Sequence, residues 1–148
     1  MFLEHINMTV ANLDRSIDFY SRLFGWKVRW RGETSDGKLV WRGETSDGKL
    51  AAHVGDDRSY LALFEARDHT PPPPQKSYDL VGLNHFGFVV DDLDAVKLRL
   101  SELGIESKSD QTYDPGRHLY FHDPDGVEIE LVQYQENENP VPRLNGVG

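Results

Sequence analysis

The chain has no cysteine among its 148 residues. Disulfides, thiolate metal sites and a cysteine nucleophile are therefore excluded. It has no apolar run of membrane-spanning length, and Glu4 and His5 interrupt the hydrophobic start, so neither a membrane span nor a signal-peptide core is expected. It has no basic block either. Sixteen Lys and Arg stand against 25 Asp and Glu, a formal charge of −9, which argues against nucleic acid as a partner. Glycine-rich phosphate loops, a Ser-His-Asp arrangement and HExxH are also missing. These absences predict a cytoplasmic protein. The remaining composition, 38% hydrophobic and 28% charged, is that of a globular chain with one sizeable core or two small modules sharing one.

What is present starts with Arg117 to Tyr134, RHLYFHDPDGVEIELVQY. Asp123-Pro124-Asp125-Gly126 is turn chemistry, with Pro presetting φ and Gly free to take positive φ. Period-two alternation puts His118, Tyr120 and His122 on one face of the hairpin and Leu119 and Phe121 on the other. Beyond the turn, Glu128, Glu130 and Val132 share a face. A carboxylate in the middle of a sheet face needs a partner, and a metal ion is one kind.

The elements before the hairpin read β-α-β-β-β twice. Phe2 to Val10 is a strand, Asn12 caps a helix with the stripe Leu13, Ile17, Tyr20 and Phe24, and Gly25 stops it. Strands follow at Trp26 to Thr34, Ala51 to Val54 and Ser59 to Glu65. Residues 66–82 hold Pro71 to Pro74 and read as a polyproline-II linker. The pattern then restarts: a strand at Leu83 to Val90, a cap at Asp91 or Asp92, the stripe Leu93, Val96, Leu100 and Leu103, a stop at Gly104, and strands near Ile105 to Lys108, Arg117 to His122 and Val127 to Tyr134. At an offset of 80, His5 falls on His85, Val10 on Val90, Leu13 on Leu93 and Asp14 on Asp94. The expected organisation is a first βαβββ module over 1–65, a linker over 66–82, a second module over 83–134 and a polar tail over 135–148.

A second repeat differs in kind. Trp30 to Leu39, WRGETSDGKL, recurs letter for letter as Trp41 to Leu50, with period 11. The tandem duplication over 30–50 reads as recent or engineered. The extra copy cannot add one more through-going strand without reversing everything after it. A bulged or extended hairpin, or a loop, that leaves the flanking strands in place is expected. It also hides a correspondence. His85 to Glu130 spans 45 residues; His5 to Ala62 spans 57, or 46 once one copy is removed. The first module thus carries Ala62 where the second carries Glu130, and the parity of the nearby Glu65 puts it on the other face.

His5, His85 and Glu130 therefore lie on inward faces at related positions. If the two sheets form one cavity, two imidazoles and a carboxylate make an open facial ligand set for Fe2+, Mn2+, Co2+, Ni2+ or Zn2+. Against this, each histidine alone also fits a hydrogen-bonded histidine in a half-buried strand, and Glu130 alone an edge-strand charge. Glu128 is the rival ligand. His118 and Tyr120 could orient substrate or carry protons, and equally could form a surface pair. His122 is expected to face solvent or cap the turn; His53 and His69 have no patterned context.

Three stretches, EHINMTVANLDRSIDFYSRLFGWKV, LNHFGFVVDDLDAV and YFHDPDGVEIELVQY, make the chain resemble the vicinal oxygen chelate superfamily over residues 2 to 134. That superfamily includes glyoxalase I, fosfomycin-resistance thiol transferases, extradiol dioxygenases, methylmalonyl-CoA epimerase and bleomycin-binding proteins. The resemblance implies an α+β fold of two βαβββ modules forming an open, curled mixed β-sheet barrel around a divalent metal. It implies His5, His85 and Glu130 as ligands, a homodimer, and a small substrate chelating the metal through vicinal oxygens. The fourth ligand of glyoxalase I and the epimerase falls at Ala62, which argues against their chemistry. Tyr120 matches a tyrosine of the fosfomycin group, but that group's threonine after the first ligand falls at Asn7. Dioxygenase chemistry is slightly favoured over thiol transfer. The alternative is a metal-free module that binds a drug or metabolite by aromatic stacking.

Overall fold

The structure is a computed structural model that describes residues 2–35, 38–39, 49–66 and 81–135. The chain divides into two units, Met1–Gln75 and Lys76–Gly148.

In the first unit the order is β1 (His5–Val10), α1 (Leu13–Phe24), β2 (Lys27–Ser35), β3 (Lys38–Leu39), β4 (Lys49–Gly55) and β5 (Tyr60–Glu65). Asn12 starts the helix by accepting from the Arg15 N–H at 2.9 Å, and Gly25 ends it at φ 72°, where a side chain would be strained. The helix buries Leu13, Ser16, Phe19, Tyr20 and Leu23. The expected stripe was rotated: Ile17 and Phe24 are only half-buried, and Phe24 packs its ring on Trp26 at 4.7 Å. The buried stripe follows Phe19 and Leu23, four residues apart on one face. The strands run in the order β1-β5-β4-β2-β3, with β1 parallel to β5. Alternation sends Met8, Val10, Ala52, Val54, Leu61 and Leu63 into the core, with α1 packed on β4 and β5. Each buried leucine here contributes about 1.5–3 kcal/mol by leaving water. The opposite sheet face carries His5, Asn7, Trp30, His53, Tyr60 and Ala62.

The second unit repeats the plan with β6 (His85–Val89), α2 (Leu93–Glu102), β7 (Ser107–Tyr113), β8 (Gly116–His122) and β9 (Glu128–Tyr134), in the order β6-β9-β8-β7. Asp92 is the cap, accepting from the Ala95 N–H, and Gly104 has φ 74°. One detail joins the modules. Glu65, on the last strand of the first, accepts from the Leu13 N–H at 2.8 Å; Gln133, on the last strand of the second, accepts from the Leu93 N–H at 2.9 Å. Each helix thus has an otherwise orphaned amide satisfied by the same strand position. Asp14 and Asp94, also equivalent, each pair with an arginine, Arg31 and Arg117 respectively. The fold is α+β, two βαβββ modules built on open mixed sheets, the first with β3 added.

The duplicated segment enters the first sheet in two places. The first copy supplies most of β2 and all of β3; β4 begins at Lys49, in the second copy. Thr34 pairs with Leu39 on one side and Lys49 on the other. β2 and β4 remain antiparallel neighbours, with a bulge between Val28 and Trp30. Most of the linker, and the tail beyond Gln135, lie outside the described residues, as does His69. No helix among the described residues is long and apolar enough to cross a membrane.

Candidate functional site

The hairpin turn is built by Asp123. Its carboxylate accepts from the Asp125 and Val127 N–H groups at 2.9 and 2.8 Å, and Gly126 takes φ 84°. That turn fixes the β8–β9 register: His122 opposite Glu128, Tyr120 opposite Glu130, His118 opposite Val132. On the other side of β9, parallel β6 sets His85 beside Glu128 and Gly87 beside Glu130. One face of the second sheet therefore gathers His85, His118, Tyr120, His122, Glu128 and Glu130. A Cβ at Gly87 would lie in ordinary van der Waals contact with Glu130 Oε2, 3.6 Å away.

Glu130 is the hub of this face. His85 Nε2 donates to Oε2 at 3.0 Å; His118 Nδ1 and the Tyr120 hydroxyl donate to Oε1 at 2.7 and 2.6 Å. Burial works to raise the Glu130 pKa, but the three hydrogen bonds outweigh it and hold the carboxyl below its ordinary value. Burial, with the Glu130 and Tyr113 hydroxyl contacts, pushes the Tyr120 pKa up, so this phenol stays a donor. Tyr113 stacks flat on His118, with ring centroids 3.9 Å apart, and its hydroxyl lies 2.9 Å from that of Tyr120. Sequence reasoning missed Tyr113. Its only signal was β7 parity, and β7 extends well beyond the expected Ile105 to Lys108. Glu128, the rival ligand, instead faces His85 Nδ1 at 3.7 Å and His122 Nε2 at 3.8 Å. His122 sits 2.8 Å from Lys108 Nζ, and burial and that ammonium lower its pKa.

His5 belongs to the first unit. Its Nδ1 lies 3.0 Å from Glu4 Oε2, and its ring stacks on Tyr60 at 5.0 Å. Tyr60 also stacks on His53 at 4.5 Å, and His53 meets Trp30 at 5.2 Å. The Arg29 guanidinium, at the bulge, lies 4.8 Å from the Tyr60 centroid. His53 thus sits in an aromatic row spanning β1, β5, β4 and β2; burial, then His5 and Arg29, lower its pKa. Its signal was its pairing with Trp30 across β2–β4, which the duplication obscured. Ala62, directly opposite His53, is buried and supplies no ligand atom. Glu65 is spent on the Leu13 amide.

No group of three or more His, Asp or Glu side chains among the described residues is disposed to hold a metal ion. The pair His85–Glu130 nevertheless fits one. Two donors at right angles, each about 2.1 Å from one ion, are about 3.0 Å apart, the separation of His85 Nε2 and Glu130 Oε2. The other carboxylate oxygen is already held by two donors, as ligating carboxylates usually are.

A family model described as Glyoxalase/Bleomycin resistance protein/Dioxygenase superfamily matches residues 2–131. The chain is 28% identical to the glutathione transferase FosA of Serratia marcescens over 131 residues, covering 87% of this chain and 78% of that one. It is 26% identical to the metallothiol transferase FosB of Staphylococcus epidermidis over 133 residues, covering 87% and 81%. Among solved structures, a glyoxylase/bleomycin resistance protein/dioxygenase domain from Frankia sp. EAN1pec superposes with a TM-score of 0.71 at 25% identity, covering 91% of this chain and 98% of that one. The chain belongs to the glyoxalase/bleomycin resistance protein/dioxygenase superfamily, also called the vicinal oxygen chelate superfamily.

Proposed function

We propose that the protein is a divalent-metal-dependent enzyme acting on a small substrate with neighbouring oxygens, and that His5, His85 and Glu130 are the metal ligands. The observation that carries this reading is the Glu130 carboxylate, kept ionised by three donors, with one oxygen 3.0 Å from His85 Nε2. A bound divalent ion would supply Lewis acidity toward a chelating oxygen. The chain's own residues do the rest. Tyr120, held neutral, donates its one hydrogen to Glu130, and its oxygen, 2.9 Å from that of Tyr113, can accept from a hydroxyl of the substrate. His118 keeps a hydrogen on Nδ1 for Glu130 and has its other nitrogen, Nε2, buried and unpartnered among the described residues, so it can accept a proton there.

Within this class the relatives tilt the choice. FosA is a glutathione transferase and FosB a metallothiol transferase, so thiol transfer moves ahead of the dioxygenase chemistry favoured from the sequence. The lack of a ligand at Ala62 separates the site from four-ligand relatives. Family resemblance also supports a homodimer.

Metal analysis of protein purified without chelators tests the proposal. Stoichiometric divalent metal, lost in His5→Ala and Glu130→Gln, is expected. The second reading, a metal-free binding module, is favoured by the aromatic row Trp30, His53, Tyr60 and His5 with Arg29 beside it, a surface suited to stacking a planar ligand. Metal-free wild-type protein that binds an aromatic ligand tightly would support that reading instead.

A further inference from the structure

His5 and His85 hold equivalent positions, yet each has its Nδ1 beside a carboxylate of different origin. His5 Nδ1 is 3.0 Å from Glu4, the preceding residue. His85 Nδ1 is 3.7 Å from Glu128, the residue paired with it across β6–β9. At the matching places the modules differ. Asn84 precedes His85 in the sequence, and Tyr60 pairs with His5 and stacks on it. The carboxylate has changed position between the modules: it hydrogen-bonds Nδ1 in the first and lies at ion-pair distance from Nδ1 in the second.

We infer that Glu4 and Glu128 are positioning residues, each favouring the hydrogen on Nδ1 of its histidine and so the lone pair on Nε2. This rests on the reading of His5, His85 and Glu130 as metal ligands. A ligating imidazole must be unprotonated at the ligating nitrogen, and a carboxylate at the other nitrogen sets that tautomer and raises ligand basicity. Without metal, His85 Nε2 donates to Glu130. Ligation through Nε2 requires the hydrogen to be absent there, which in a neutral imidazole means the tautomer with its hydrogen on Nδ1, where Glu128 faces it. Glu128 divides its attention with His122, which Lys108 also contacts. Glu4 is the weaker support, since its side chain is 60% exposed and its field is screened.

The test is cobalt(II) titration of the metal-stripped full chain, read by chelator competition and by the visible spectrum, for wild type, Glu4→Gln and Glu128→Gln. Affinity should fall about 10- to 100-fold in Glu128→Gln and less in Glu4→Gln. Thermal midpoints of the stripped proteins should not change. Adding Asn84→Glu to Glu128→Gln gives the second module the arrangement of the first and should regain much of the lost affinity. Variants binding cobalt as tightly as wild type would overturn the inference and leave the ligand set standing. Wild type that binds no cobalt would overturn the ligand set itself, and the inference with it.

Discussion

His118 Nδ1 donates to Glu130 Oε1 at 2.7 Å, while His118 Nε2 is buried with no partner among the described residues. The two ends of one ring therefore pull stability in opposite directions. A hydrogen bond to a charged group contributes about 1.5–3 kcal/mol, and a buried polar atom without a partner costs about 1–3 kcal/mol. His118→Phe removes both and keeps a ring under Tyr113 for stacking. Its urea unfolding free energy, measured without metal, should lie within about 1 kcal/mol of wild type.

Tyr120→Phe has no such offset. It deletes only the hydroxyl that donates to Glu130 at 2.6 Å, while Tyr113, 44% exposed, can turn to water. A loss of about 1–3 kcal/mol is expected by urea denaturation. Equal stability of the two proteins would show that the hydroxyl does not support Glu130 in solution.

The pH dependence of the stripped protein has a definite sign. His53 and His122 have folded pKa values below the ordinary 6.5. The unfolded state therefore binds protons first as pH falls, and stability declines from about pH 6.5 through their folded values. Glu130 is depressed below 4.5. Its contribution is full above that value and lost as pH falls through the folded pKa. Asp110, lowered by Arg117 and Lys97, adds to the same acid limb. Urea midpoints measured from pH 7 downward should show both declines. Tyr120→Phe should shrink the acid one, because a donor that depresses Glu130 is gone.

Much of this was legible in the sequence because it rests on local signals. Asn12, the Asp91-Asp92 pair, Gly25 and Gly104 marked the helix ends, and period two put His118 with Tyr120 on one strand and Glu128 with Glu130 on the next. The offset between His5 and His85 exposed the repeat, which the Glu65 and Gln133 contacts to the helix amides then express in three dimensions. Other features were hidden because they depend on pairing across strands. Glu128 and Glu130 share parity, and only the register with β6 shows that Glu128 faces His85 Nδ1 while Glu130 meets Nε2. Tyr113 reaches His118 through the β7–β8 register. The α1 face was misplaced by one step because Leu13 and Tyr20 fit either stripe, and packing favoured Phe19 and Leu23.

The duplication makes a separate prediction. Among the described residues, β3 pairs through Thr34–Leu39 and Ser35–Lys38. Removing Trp30 to Val40 leaves one intact WRGETSDGKL and keeps Ala51, which is fully buried. The Ser-Asp-Gly-Lys turn could then join β2 to β4 directly. Loop shortening favours folding slightly, about 0.6 kcal/mol per halving of length. The thermal midpoint should be equal or higher, with metal content unchanged. A clear drop in either would mean that the extra copy supports the sheet.

Anomalous scattering from crystals grown with manganese tests the central claim most directly. The account predicts a peak bonded to His85 Nε2 and Glu130 Oε2, with His5 Nε2 as the third protein ligand and Tyr120 still donating to Glu130 Oε1. A map with no peak there, and His85 still hydrogen-bonded to Glu130, would contradict it.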